Sequence, residues 1–390
     1  MAKKTTSSSK WIKALDQFGV SILKKDESET FPYIIPFKHV ALNCILGGGI
    51  LGGTLFEIAA PSGLGKSFLL YEAGAKTLEM GGYFFLNDSE EAYKQSYGNK
   101  IGLIPDGQHF ALTSINSMED AFKAMRAYVL YVREEIGDKD APILLGVDSY
   151  AGLRINLDLK NEEALKDPIG YMAMQTNMKF NELIAKFIPF IKKHSATMVL
   201  INQLTAKYTN GPNGTVKTYQ SLNEDKIAYF STQRIRGEAG KIDGAYKKIV
   251  KTVPSLSKYK DEVKKQIGMW VTWETLKNRK IEPFQKAETR ILYRSGLKEF
   301  SGLSELLANR ELIKMGTQVA HNAKGEKLKT PNVGFKLVDD KFKDEFYLIG
   351  RKKENLSNKD IERAIKELVE VHPELLDYNK YEFNSELDDE

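Results

Sequence analysis

The sequence predicts an α/β fold in which a mostly parallel central sheet is flanked by helices and carries a phosphate-binding loop. Three observations predict it. Short continuous apolar runs, "LFEIAA", "YFFLND", "HFALTS", "PILLGVDS" and "TMVLINQ", alternate with longer helix-like stretches from about residue 54 onward. Such runs suit strands buried on both faces, and their alternation with helices is that of parallel strands joined by crossovers. A pliant stretch, "APSGLGKS", separates the first run from a helical pattern. The chain has 390 residues and is 42% apolar, enough to bury a large core with one or two smaller units.

The opening "MAKKTTSSSK" is polar and basic, and "WIKALDQFGVSIL" then spaces Trp11, Ile12, Leu15, Phe18 and Leu23 along one helical face. Residues 1–40 therefore read as an amino-terminal helix and oligomerisation segment, ahead of a core over 41–300. Within the core, helices are expected near 67–80, 118–136 and 170–194, the last kinked or shortened by Pro189. After Gln203, "TAKYTNGPNGTVKTYQSLNED" concentrates Gly and Pro and reads as a mobile loop. "MWVTWETLKNRK" and "TRILYRSG" read as strands. "FSGLSELLANRELIKMG" and "KDIERAIKELVEVHPELL" read as helices of a small carboxy-terminal α+β module over 301–375, and 376–390 is an acidic tail.

One cysteine, Cys44, cannot form an internal disulfide, and no apolar stretch has the length of a membrane span or the form of a cleaved leader. A reducing cytoplasm is the expected compartment. The net charge of +5 is unevenly spread: residues 206–280 hold 16 Lys and Arg against 7 Asp and Glu, so the basic excess lies in that segment.

The stretch "APSGLGKS" fits the Walker A phosphate loop, with Ala60 in the place usually held by Gly. Pro61, Ser62, Gly63 and Leu64 follow, then Gly65, Lys66 and Ser67, with Phe68 in the first helical turn. Gly63 and Gly65 let backbone N–H groups turn around phosphate oxygens, and the helix directs its positive end at the same anion. Lys66 is expected to reach the β and γ phosphates of ATP, and Ser67 to offer a hydroxyl to Mg²⁺. Asp148 ends another apolar run, where its carboxylate would complete the metal site; capping a turn is the plainer alternative. Glu90 or Glu91, just past "YFFLND", would activate water, although adjacent exposed acids are common on any surface. Gln203 ends a further run, where its amide would sense the γ-phosphate or serve a structural role.

Taken together, "APSGLGKS", "NDSEEAY", "ILLGVDSYAGL", "VLINQ" and above all "LKNRKIEPFQKAETRILYRSGL" resemble the RecA-type recombinases, most of all the UvsX-type recombinases of phages, over roughly residues 45–345. The resemblance implies a RecA-like ATPase core that forms a helical filament on single-stranded DNA and promotes pairing and strand exchange with homologous duplex DNA. The roles implied are recombination, repair and replication, with single-strand-binding and loader proteins as further partners and the host cytoplasm as compartment for a phage protein. It makes Glu90 the water-activating base, stacks Tyr97 on adenine and couples Gln203 to a DNA loop over about 204–224. It also sends Lys277 and Arg279 to the nucleotide of the adjacent subunit, in the manner of an arginine finger. Lys207, Tyr208, Lys217 and Tyr219 interleave cations with aromatics in that loop, a pattern suited to backbone contact and base stacking. A second DNA loop, about 154–168, offers Arg154 and Lys160 beside two glutamates. The basic run over 237–266 is longer than the family's connection there and reads as a DNA-contacting insertion or a surface loop. A ring-forming RecA-like ATPase such as a replicative helicase shares the loop, Glu and Asp, and is the alternative; a regulatory ATP-binding protein without turnover is a third.

Overall fold

Eighteen strands and eight α-helices make up the described part of the chain. The computed structural model describes all residues except 1–30, 156–167, 212–213, 243–244, 247, 255–261, 320–330, 343–344, 351–356 and 377–390. The expected amino-terminal helix, most of the 154–168 loop and the acidic tail lie outside the described residues. In chain order the core begins with β1 (Ile34–Ile35), α1 (Val40–Leu46), β2 (Ile50–Leu51), β3 (Leu55–Ala60), α2 (Lys66–Glu79), β4 (Tyr83–Asp88) and α3 (Gln95–Ile101). It continues with β5 (Phe110–Thr113), α4 (Met118–Leu130), a π-helical turn (Tyr131–Glu135), β6 (Ile143–Asp148), α5 (Pro168–Lys193), β7 (Ala196–Gly211), β8 (Gly214–Ser221) and α6 (Glu224–Phe230). Then come β9 (Gln233–Ala239), β10 (Lys241–Ile242), β11 (Ala245–Tyr246), β12 (Lys248–Pro254), β13 (Glu262–Lys277), β14 (Lys286–Leu292) and β15 (Gly296–Leu297). The last part holds α7 (Leu303–Asn309), β16 (Ile313–Gln318), β17 (Asn332–Leu337), β18 (Tyr347–Gly350) and α8 (Asn358–Val371).

The main sheet runs β15-β14-β13-β9-β3-β7-β6-β4-β5. From β9 to β5 all neighbours are parallel, whereas β9, β13, β14 and β15 pair antiparallel. Both faces of the parallel part are buried, which is why its strands read as unbroken apolar runs. Phe56, Ile58, Phe84, Leu86 and Leu144 pack into one hydrophobic cluster with α2, while Leu55, Tyr83, Phe85, Ile143 and Leu145 pack into another with α4 and α5. Gly74 of α2 is pressed against the sheet so closely that a Cβ there would stand 2.3 Å from Phe84 Cε1. This α/β architecture is the one the sequence predicts.

Several expectations are corrected. The stretch after Gln203 is a β-hairpin: β7 continues to Gly211 and β8 returns beside it, with Lys207 opposite Thr218 and Tyr208 opposite Lys217. Its arms are rich in Thr and Tyr, which favour strands, and Gly211 and Gly214 pair at the end of the ladder, where the chain reverses. The basic run over 237–266 is also largely strand, since β12 pairs with the first half of β13. The α5 helix continues through Pro189 to Lys193. Finally, the helix expected over "FSGLSELLANRELIKMG" stops at Asn309, and after a turn the end of that run, from Ile313, belongs to β16.

Beyond residue 301, β16, β17 and β18 form an antiparallel sheet with α7 and α8, and Leu307, Ile365 and Leu368 join the same apolar cluster as Phe56 and Leu69. Arg290 of β14 fastens α8 through Glu362 at 2.5 Å. His372, just past α8, is buried, with Nε2 2.7 Å from Glu345 and Nδ1 2.9 Å from Glu374. Burial lowers its pKa, but the two carboxylates outweigh that and hold it above its ordinary 6.5. A raised folded-state pKa contributes stability that is full below the unfolded value and lost as pH rises through the folded one. The melting-temperature advantage of the wild type over His372→Gln should therefore shrink as pH is raised from about 6 to about 8.5, read by thermal denaturation. Among the described residues no helix is long and apolar enough to cross a membrane.

Candidate active site

The carboxyl ends of β3, β4, β6 and β7 open on one cavity of about 640 Å³, the size range of small-ligand sites. Gly65 has φ 86°, and a Cβ there would stand 2.5 Å from Ile291 Cδ1, so glycine alone fits this turn into α2. Gly65 is also the helix N-cap and supplies no side-chain partner, leaving the first N–H groups of α2 free for an anion. Ser62, Gly63, Lys66, Ser67 and Phe68 line the cavity beside it. Lys66 Nζ donates to the carbonyls of Ala60 at 2.9 Å and Pro61 at 3.0 Å.

Strand register gathers the acids. Ala60 lies beside Gln203, and Asp88 beside Asp148. Asp148 is buried with Oδ2 lacking a hydrogen-bond partner among the described residues, and Asp88 Oδ1 is equally unpartnered while its Oδ2 accepts the Tyr93 N–H at 2.7 Å. Glu90, exposed at the cavity wall, accepts the Ser149 hydroxyl at 2.5 Å. Burial raises the Asp148 pKa to about 6, Asp88 and Glu90 push the same way, and the Ser67 hydroxyl and Lys66 pull against them. Burial likewise lowers Lys66, against the pull of Asp148 and Glu90. Beside the loop Lys66 thus acts on Asp148 against Asp88 and Glu90, while Lys94, Lys100 and Arg294 also line the cavity. The unpartnered Asp148 oxygen and the Ser67 hydroxyl fit Mg²⁺, an ion usually held by few protein ligands together with phosphates and water. No group of three or more His, Cys, Asp or Glu among the described residues could hold a metal alone.

Of the other expected residues, Gln203 and Tyr97 also line the cavity, Tyr97 packing edge-on to Phe68 with ring centroids 4.8 Å apart. Leu64 and Pro61 line a separate cavity of about 280 Å³, together with Tyr219 at the base of the β7–β8 hairpin. Lys277 and Arg279 lie outside the phosphate cavity; Lys277 Nζ donates to the Ala228 carbonyl at 2.7 Å. Arg154 is exposed, bridged through its backbone to Ser117. Sequence reasoning missed Tyr71, Ser149, Tyr293 and Arg294, which also line the cavity. Tyr71 falls one helical turn after Ser67, a spacing that could have revealed it.

No family model matches the chain. Curated proteins named RecA do, and two of them serve as examples. The protein of Leptospira biflexa is 25% identical over 327 residues, covering 78% of this chain and 73% of its own length. That of Bacteroides thetaiotaomicron is 26% identical over 305 residues, covering 75% and 79%. This chain is similar to the RecA proteins. A RecA-like α/β core is consistent with the mostly parallel sheet and its flanking helices.

Proposed function

We propose that the protein is an ATP-dependent DNA recombinase, nearest in kind to the UvsX-type recombinases of phages, that polymerises on single-stranded DNA and promotes homologous pairing and strand exchange. The convergence of Lys66, Ser67, Glu90, Asp148 and Gln203 on one cavity, in a chain similar to RecA proteins, carries this reading. The loop N–H groups and Lys66 hold the triphosphate and offset the charge that spreads over the γ-phosphoryl oxygens in the transition state. Mg²⁺, held by Ser67 and Asp148, would add positive charge there. The Glu90 carboxylate, oriented by Ser149, takes the proton of the attacking water while the bond to the β,γ-bridging oxygen breaks and ADP and phosphate leave. Gln203, at the root of the β7–β8 hairpin, links γ-phosphate occupancy to the arms that carry Lys207, Tyr208, Lys217 and Tyr219, which contact DNA together with Arg154. Tyr97 supports the base.

Lys277 and Arg279, away from their own chain's cavity, serve the nucleotide of the next subunit. This assignment has a direct test. Lys277→Ala and Glu90→Gln chains are each expected to be slow alone, but their mixture should hydrolyse ATP faster than the sum of the two, because some interfaces then pair an intact Glu90 with an intact Lys277. A mixture no faster than that sum would remove Lys277 from the neighbouring site. The function as a whole is tested by phosphate release with and without single-stranded DNA, and by electron microscopy with a non-hydrolysable ATP analogue. Helical filaments and DNA-stimulated turnover are expected. Closed rings would favour a helicase-like ATPase instead.

A further inference from the structure

Glu57 is a carboxylate in the middle of the strand "LFEIAA", and it is fully buried. A buried carboxylate persists only where partners offset its lost hydration. Glu57 has one from each neighbouring strand: Asn202 of β7 donates Nδ2 to Oε1 at 2.9 Å, and Arg234 of β9 donates Nε to Oε2 at 2.5 Å. The links continue in both directions. Asn202 Oδ1 accepts the Gln203 N–H at 2.9 Å, and its Nδ2 also reaches the Leu222 carbonyl at 2.9 Å, just before α6. Arg234 and Arg236 stand 3.6 Å and 3.5 Å from the carboxylate of Glu224, the first residue of α6. At the other end of that helix, Lys277 Nζ donates to the Ala228 and Tyr229 carbonyls at 2.7 Å and 3.4 Å.

We propose that Glu57 and Arg234 are positioning residues that join the two halves of the ATP site: Gln203 beside the chain's own γ-phosphate, and Lys277, offered to the next subunit's nucleotide. The inference rests on the recombinase reading. The short helix α6 is the element both ends act upon. A displacement of Gln203 toward the phosphate draws Asn202 and the Leu222 carbonyl with it, and α6, held at its start by Glu224, passes that displacement to the lysine at its end. A contiguous run of hydrogen bonds and ion pairs is the physical means by which such sites become coupled.

Two substitutions test it. Glu57→Gln keeps the side-chain volume and the bond from Asn202 but removes the charge facing Arg234. Glu224→Gln loosens the start of α6 without stranding a charge in the core, because Glu224 is partly exposed. ATP affinity, hydrolysis without DNA, hydrolysis with single-stranded DNA and melting temperature are measured for each. ATP affinity and the DNA-free rate should stay within about twofold of wild type, while the DNA-dependent enhancement falls roughly tenfold in Glu57→Gln and less in Glu224→Gln, a size ordinary for coupling between sites. Arg234→Lys, which keeps the charge, should retain more of the enhancement than Arg234→Met. A folded Glu57→Gln chain with the wild-type enhancement overturns the proposal, as does an equal loss with and without DNA, the mark of a merely structural role. Should Glu57→Gln fail to fold, Glu224→Gln decides by the same two outcomes. A wild type indifferent to DNA sinks the recombinase reading itself; an enhanced wild type with equally enhanced variants sinks only this link.

Discussion

Lys66→Ala is expected to reduce ATP turnover by roughly a hundred- to a thousandfold, the scale on which single charge-stabilising donors act in active sites. The reason is the local balance of charge. Lys66 is the cation that acts on Asp148 beside the loop, where its amine rests on the Ala60 and Pro61 carbonyls, while Lys94, Lys100 and Arg294 line the same cavity. Without it a triphosphate at the loop would meet Asp88, Asp148 and Glu90 without the cation that offsets Asp148. Burial lowers the lysine's pKa, against the pull of Asp148 and Glu90. Lys66→Arg should rescue little, because a planar guanidinium presents its charge in a fork rather than at one point. Phosphate release at saturating ATP and DNA, with calorimetry for nucleotide affinity, reads both variants. Undiminished turnover in a folded Lys66→Ala protein would remove the loop from the mechanism.

Much of this site was legible because parallel strands buried on both faces announce themselves as unbroken apolar runs, and the residue that ends each run stands at the carboxyl edge of the sheet. Asp148 and Gln203 were found in that way, and the structure lines one cavity with both. What escaped was non-local or depended on where turn residues fall. Glu57 has no apparent reason to sit in an apolar strand until Arg234, 177 residues away in the chain, is seen to pair with it. Tyr293 and Arg294 follow a strand on the antiparallel side of the sheet, and only the folding of that strand brings them to the cavity formed by α2 and α3. The stretch after Gln203 reads as a loop because Gly and Pro cluster in "GPNG", whereas the strand formers on either side of that cluster pair as the arms of a hairpin that ends at Gly211 and Gly214. Pro189 reads as kinking or shortening its helix, yet the helix lies against the sheet through Phe187, Phe190 and Ile191 on either side of it, and that packing keeps the chain helical to Lys193.

Glu90→Gln is expected to separate binding from chemistry. The amide keeps the size of the side chain and can still accept the Ser149 hydroxyl, so nucleotide should bind and assembly on DNA should proceed. It cannot take a proton from water, and the loss of a positioned base slows such reactions by roughly a hundred- to ten-thousandfold. ATP would then persist in the filament, and filaments of the variant should outlast those of the wild type when free ATP is removed, as followed by light scattering or microscopy. The neighbouring acid supplies the control. Glu91 has a positive φ of 53° and does not line the cavity, so Glu91→Gln should hydrolyse ATP at nearly the wild-type rate. Equal losses in the two variants would mean that neither carboxylate acts on the water and that the base must be sought elsewhere, with Asp148 the other acid that lines the cavity.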